Sequence, residues 1–226
     1  MPSHPPRRPA AVIFDLDGVL VDAEVWWDEV RRAWAAEHGR AWSRADQAAV
    51  MGANSLGWAR IIRDRLDLDL PEQEIVDEIV GLMIARYRSR GAPRISAAVD
   101  AVRRLAATGL PVAVASSSHR TVIDAALDSL GIANLFRVVV ASDEVADGKP
   151  APDVYLLAAR RLAIDPADCL VIEDSLNGVL AARAAGMMVA LVPNGSVPPA
   201  AGAREAASMT LGSLAELDLL PTLPAA

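Results

Sequence analysis

Four short groups of residues in this chain have the types and spacing to do chemistry. They are Asp15-Leu16-Asp17-Gly18-Val19-Leu20-Val21-Asp22, Ser116-Ser117-Ser118-His119, Asp147-Gly148-Lys149-Pro150 and Glu173-Asp174-Ser175. Each follows a short apolar run, at once or after a few residues. Asp15 and Asp17, one residue apart at the end of such a run, point to the same side of an extended backbone. Glu173 and Asp174 are expected to converge on them from a neighbouring run. Carboxylates crowded in this way repel one another unless a cation sits among them, which implies a hard ion such as Mg²⁺. Ser116 and Lys149 supply a hydroxyl donor and an ammonium, which suit a phosphoryl oxygen. A carboxylate nucleophile, a divalent cation and a fixed positive charge around one anion describe phosphoryl transfer.

Each group also has a plainer reading. Two aspartates in a loop make a solvated turn, Ser117 or Ser118 suits a helix N-cap, and Lys149 suits an exposed loop. Glu173-Asp174 suits the positive N-terminus of a following helix. Their order at successive strand ends favours a single site over four coincidences. The basic residues add a hint: 21 of the 22 are arginine, and Lys149 is the only lysine.

The positioning elements are legible around these groups. Five apolar runs bounded by turn residues predict buried strands over Ala11–Phe14, Pro111–Ala115, Val138–Ala141, Leu170–Ile172 and Met188–Val192. Helices are expected over Ala97–Ala107, Arg120–Leu130, Pro152–Leu162 and Leu176–Ala185. This alternation predicts an α/β fold with a parallel sheet and right-handed crossovers, and ligands bind such sheets at the carboxyl ends of the strands. From Ala23 to about Arg90 no strand-like run occurs. Val25–Glu37, Arg44–Met51, Ser55–Leu66 and Glu72–Arg88 read as helices, which makes residues 23–91 a separate helical module inserted after the first strand. All five tryptophans fall in it, and most are assigned to its core. Residues 10–22 and 92–220 then form the α/β core, with a disordered tail over 1–9 and a loose one over 221–226.

The chain has 226 residues, 53% of them hydrophobic, and a formal net charge of −7. That composition suits a folded domain and argues against nucleic acid as a partner. One cysteine excludes a disulfide framework, and three scattered histidines disfavour a histidine metal centre. No apolar run approaches the length of a membrane span, and the N-terminus has no signal-peptide core. The expectation is a cytoplasmic protein, a monomer or weak homodimer, whose partner is a small phosphorylated metabolite.

The four motifs resemble those of the haloacid dehalogenase-like phosphohydrolases, in the branch with a helical cap after strand one. That branch includes β-phosphoglucomutase and phosphoglycolate phosphatase. The resemblance covers nearly all of residues 10–195: the first motif fits over Ala11–Asp22, the third over Gly148–Tyr155 and the fourth over Val171–Gly178, while Ser116 is the least specific match. It implies a Rossmann-like core with an inserted α-helical cap. It also implies Asp15 as nucleophile, Asp17 as acid and then base, and Ser116 and Lys149 on the transferring group. Mg²⁺ would be held by Asp15, the backbone carbonyl of Asp17 and Asp174, with Glu173 as a direct or indirect ligand. Because the metal-free dehalogenases lack the second aspartate, Asp17 disfavours carbon–halogen hydrolysis. Ile95-Ser96-Ala97-Ala98-Val99 departs from the Pro-Gly pair common at the return from the cap.

The resemblance also bears on the substrate. In β-phosphoglucomutase-like sequences a histidine and an arginine of the cap grip a second phosphate. Trp27 and Ser55 stand at those positions here, with Arg60 as a possible substitute. Trp26 or Trp27 is expected to cover a sugar face, Asn54 and Ser55 to bond its hydroxyls, and Ser117, Ser118 and His119 to lie near the substrate. The reading is an Mg²⁺-dependent phosphatase acting on a sugar phosphate. The alternatives are a phosphomutase of the β-phosphoglucomutase type and a catalytically silent phosphometabolite binder.

Overall fold

The computed structural model describes residues 8–219. Among these residues six strands form one wholly parallel sheet: β1 (Ala11–Phe14), β2 (Val112–Ala115), β3 (Val138–Val140), β4 (Cys169–Glu173), β5 (Met188–Leu191) and β6 (Met209–Thr210). Their order is β3-β2-β1-β4-β5-β6. The three central strands are buried along their whole length, which explains why each reads as a continuous apolar run rather than an alternation. Strand order reverses at β1, so the chain's crossovers diverge there and leave a crevice above its end. Phe14 pairs in register with Val114 and Ile172, so the residues after β1, β2 and β4 emerge at nearly one level. The two-residue β6 was not among the expected strands; an element so short has no period to read.

Helices α1 (Glu24–Glu37), α2 (Arg44–Val50), α3 (Ser55–Leu66) and α4 (Glu72–Arg90) form the insert after β1. Local chemistry sets their ends. Ser43 and Asp46 make a reciprocal capping box on α2, and the Asn54 side chain accepts from Gly57 N at the start of α3. The core helices are α5 (Ser96–Ala107), α6 (Arg120–Leu130), α7 (Asp153–Leu162) and α8 (Leu176–Ala184).

Two apolar layers flank the sheet. One holds Ile13, Tyr155, Val171 and Val179. The other runs without a break from Phe14, Val99 and Ile123 into Trp34, Trp58, Met83 and Tyr87 of the insert. The insert's helices pack on one another and, through α4 on α6, on the α/β core, so its apolar interior is continuous with that layer. The two chain crossings into and out of it run side by side, with Ile95 N donating to Leu20 O at 3.0 Å and Asp22 N to Pro93 O at 2.8 Å.

The expected tail over 1–9 needs shortening. Pro9 is buried, and Ala10 N donates to Asp168 O at 2.7 Å, which anchors the chain before β1. Residues 1–7, and the expected loose tail over 221–226, lie outside the described residues. Among the described residues no helix is long and apolar enough to cross a membrane.

Candidate active site

Asp15 leaves β1 into the crevice and is 7% exposed. The Lys149 ammonium reaches it from the loop after β3 at 2.6 Å, and also donates to Glu173 Oε1 at 2.7 Å and to Ala115 O at 3.3 Å. Glu173, the last residue of β4, has both oxygens committed. Oε1 accepts from Lys149 and from Tyr155 Oη, while Oε2 accepts from the backbone N of Asp174 and Ser175 and from Ser175 Oγ. Burial alone would lower the Lys149 ammonium, but Asp15 and Glu173 outweigh it and hold its pKa above the ordinary value. Burial likewise opposes ionisation of Glu173, and the same ammonium overcomes it and keeps this carboxyl below its usual range.

One ammonium does not serve every carboxylate. Asp15, Glu173 and Asp174 bring oxygens within 4.8 Å of one another, all three buried. Burial, reinforced by Glu173 and Asp15, pushes Asp174 well above the carboxylate range. Burial raises Asp15 to about 8 despite Lys149. These are the marks of a hard-cation site: oxygen donors only, buried, with more negative charge than the protein neutralises. Glu173 accepts five hydrogen bonds from the protein, so Asp15 and Asp174 have more of their oxygens left for a ligand.

Asp17 stands apart from that cluster. Its Oδ2 accepts from Ser118 Oγ at 2.6 Å and its Oδ1 from Trp27 Nε1 at 3.2 Å. Its side chain is thus turned from the three carboxylates, and only its backbone is left to serve a metal there. Burial raises its pKa, and the two hydrogen bonds pull against that shift.

The second group divides its work. Ser116, 1% exposed, uses Oγ to accept from Ser118 N at 3.1 Å, and its hydroxyl proton remains for a ligand. Ser117 lines the cavity, and Ser118 holds Asp17. Neither serine caps the next helix: His119 does, its side chain accepting from Thr121 N. His119 also faces Asp143 at 3.8 Å and is absent from the cavity wall.

A cavity of about 350 Å³ lies between these groups and the insert. Its upper wall contains Glu24, Trp27 and Arg31 of α1 and Trp58 of α3, and residues 197–200 after β5 close one side. That last segment is tethered by Asp22, which accepts from Asn194 Nδ2 and Ser196 Oγ. Trp27 is therefore at the cavity, as expected. Trp26 instead packs on Tyr87, with ring centroids 5.9 Å apart. Asn54 and Ser55 do not reach the wall: Asn54 is spent capping α3, and Ser55 is buried beneath it. Arg60 pairs with Glu72 on the surface. Sequence reasoning missed Glu24 and Arg31, although both lie at helical spacing from Trp27, three residues before it and four after.

A family model described as haloacid dehalogenase-like hydrolase matches residues 9–186. The chain is 35% identical over 215 residues to the bifunctional riboflavin kinase/FMN phosphatase of Arabidopsis thaliana, covering 93% of this chain but only 55% of that longer protein. It is 34% identical to the fructose-1-phosphate phosphatase YqaB of Escherichia coli, covering 80% of this chain and 95% of the other. The crystal structure of a CbbY mutant from Rhodobacter sphaeroides, in complex with xylulose-(1,5)bisphosphate, superposes with a TM-score of 0.80. That match has 25% identity and covers 92% and 96% of the two chains.

Proposed function

The chain belongs to the haloacid dehalogenase-like hydrolases, and from that premise we propose that it is an Mg²⁺-dependent phosphatase working through an aspartyl-phosphate. Its substrate in this reading is a small phosphorylated metabolite, with a sugar phosphate first. One observation carries the reading: two aspartates one residue apart are held in different electrostatic settings. The Asp15 carboxylate is paired with the Lys149 ammonium, while the Asp17 carboxyl is turned away and held by the Ser118 hydroxyl and the Trp27 indole N–H.

Division of labour follows from that difference. An Asp15 oxygen attacks phosphorus as the bond from phosphorus to the leaving oxygen breaks. The Asp17 carboxyl gives its proton to the departing oxygen. In the second half, the Asp17 carboxylate takes a proton from water as that water attacks phosphorus. The bond from phosphorus to Asp15 then breaks and inorganic phosphate leaves. Lys149 and the Ser116 hydroxyl orient the phosphoryl oxygens, and the buried setting of both strengthens their hold. Mg²⁺, held by Asp15, Asp174 and the carbonyl of Asp17, would neutralise charge on the phosphoryl oxygens. A screen of phosphorylated metabolites for released phosphate, with Mg²⁺ and with chelator, tests the reading. Release that persists undiminished in excess chelator overturns the metal requirement.

The phosphomutase alternative has one observation in its favour. A cation of the insert, Arg31, does line the cavity and could hold a second phosphate. Incubation with β-glucose 1-phosphate and a trace of the 1,6-bisphosphate separates the two. The phosphatase releases phosphate faster than it forms glucose 6-phosphate; the mutase reverses that order.

A further inference from the structure

The Lys149 ammonium donates to Asp15 Oδ1 at 2.6 Å, to Glu173 Oε1 at 2.7 Å and to Ala115 O at 3.3 Å, which is as many acceptors as its three N–H groups can serve. To meet a phosphoryl oxygen it must turn one N–H away, and the bond to Asp15 is the one to yield, because that oxygen has to be free to attack. A buried ammonium that lets go of one carboxylate is drawn onto the other, here Glu173. Tyr155 has the geometry to oppose that collapse. It is the third residue of α7, 0% exposed, and belongs to the apolar layer that does not extend into the insert. Its ring centroid lies 4.8 Å from Lys149 Nζ, and its Oη donates to the same Glu173 oxygen, Oε1, at 2.7 Å. It does not line the cavity, so it can act on a substrate only through those two charged groups.

We propose that Tyr155 is a positioning residue for phosphoryl transfer, holding Lys149 by its ring and Glu173 by its hydroxyl so that the ammonium can turn an N–H from Asp15 to the transferring group. The inference rests on the phosphatase reading above and adds a residue to its machinery. The ring face attracts the ammonium without using up an N–H, which no carboxylate or carbonyl acceptor does. The hydroxyl answers part of the charge on Glu173 Oε1, so that this oxygen pulls less on Lys149. Both contacts come from one packed side chain, so neither has to be assembled when substrate enters. The two residues are also tied in sequence, since α7 begins at Asp153, directly after the loop that carries Lys149.

Two substitutions separate the hydroxyl from the ring. Tyr155→Phe removes the first and keeps the second, while pentafluorophenylalanine incorporated at the same position keeps the shape of phenylalanine and removes the negative ring face. Wild type and both variants are compared in Mg²⁺ by hydrolysis of p-nitrophenyl phosphate, by calorimetric binding of inorganic phosphate and by melting temperature. In Tyr155→Phe, kcat/KM should fall about 10-fold and the Kd for phosphate should rise by a similar factor, as for a lost hydrogen bond to a charged group. The fluorinated ring should cost a further ~3–10-fold in both quantities. A tyrosine that only fills space would lower the melting temperature and leave kcat/KM and the phosphate Kd unchanged in both variants, and that result overturns the inference. So does a fluorinated ring that matches phenylalanine in both quantities. Wild type that binds phosphate but hydrolyses neither this ester nor any metabolite of the screen above would refute the phosphatase reading alone. Phosphate affinity weakening in the same order across the variants would then still support the Tyr155 assignment.

Discussion

Lys149 is 4% exposed at its side chain and touches two carboxylates and a carbonyl, so its compact ammonium is matched to a closed space. Arginine would keep the charge but bring a planar fork too large for that space. Lys149→Arg should therefore lose activity about 100-fold or more, a barrier increase of at least ~2.7 kcal/mol; turnover within tenfold of wild type would show that charge alone suffices. Asp15→Asn should abolish turnover without unfolding, because an amide cannot accept the phosphoryl group; circular dichroism with a phosphate-release assay checks both halves. Glu24 offers a pH test. Burial lifts it to about 7, with Asp17 adding repulsion against the pull of Arg31. A carboxyl whose folded pKa is raised stabilises fully below its unfolded pKa near 4.5, and that contribution is lost as pH rises through 7. Glu24→Gln does not titrate, so its melting temperature should gain on the wild type between pH 5 and 8, by roughly 1–3 kcal/mol of stability. A constant gap across that range would refute the shift.

At the scale of elements, two turns place the carboxylates. Gly18 has a φ of +87°, and a Cβ there would fall onto the Asp174 carboxylate. Only glycine lets the turn after β1 pass so close to the end of β4. Gly178, in the first turn of α8, does the same for Glu173: a Cβ would overlap its carboxylate. Gly178→Ala should push Glu173 from Lys149 and Ser175, lowering both activity and melting temperature. A variant with unchanged kcat and melting temperature would mean that this close approach carries no function. Strand and helix positions were readable because buried runs and helical spacing are local patterns. The cap of α6 was not: a serine is the commoner N-cap, yet Ser118 is drawn to Asp17 and His119 takes the place.

Across the whole molecule, the insert and the α/β core share one apolar layer, and Trp27 of the insert bonds directly to Asp17 of the core. The Asp17 carboxyl is thus oriented by both parts. The excess negative charge at the sheet edge also weighs on the whole fold. A divalent cation should relieve it: at 100 times its Kd, Mg²⁺ would add about 2.7 kcal/mol, or on the order of 5–10 °C in melting temperature for a chain of this size. Calorimetric melts in Mg²⁺ and in chelator measure this, and identical curves would refute the cation site.

The sequence by itself determined the parallel α/β fold, the position of the insert and the groups around Asp15, Ser116, Lys149 and Glu173. Those are written in contiguous segments, and residues that end adjacent parallel strands must meet. What only the tertiary structure decided is which side chains the insert turns toward the cavity. Trp27 and Arg31 share a face of α1 with core-packing residues, and spacing cannot say where packing stops and the cavity begins. Asn54 and Ser55 were drawn toward the site on paper, but a helix start claimed one and burial the other. Arg31, at helical spacing from Trp27, was one of 21 arginines until α1 and α3 packed together and brought its guanidinium to 4.9 and 5.6 Å from two indole centroids.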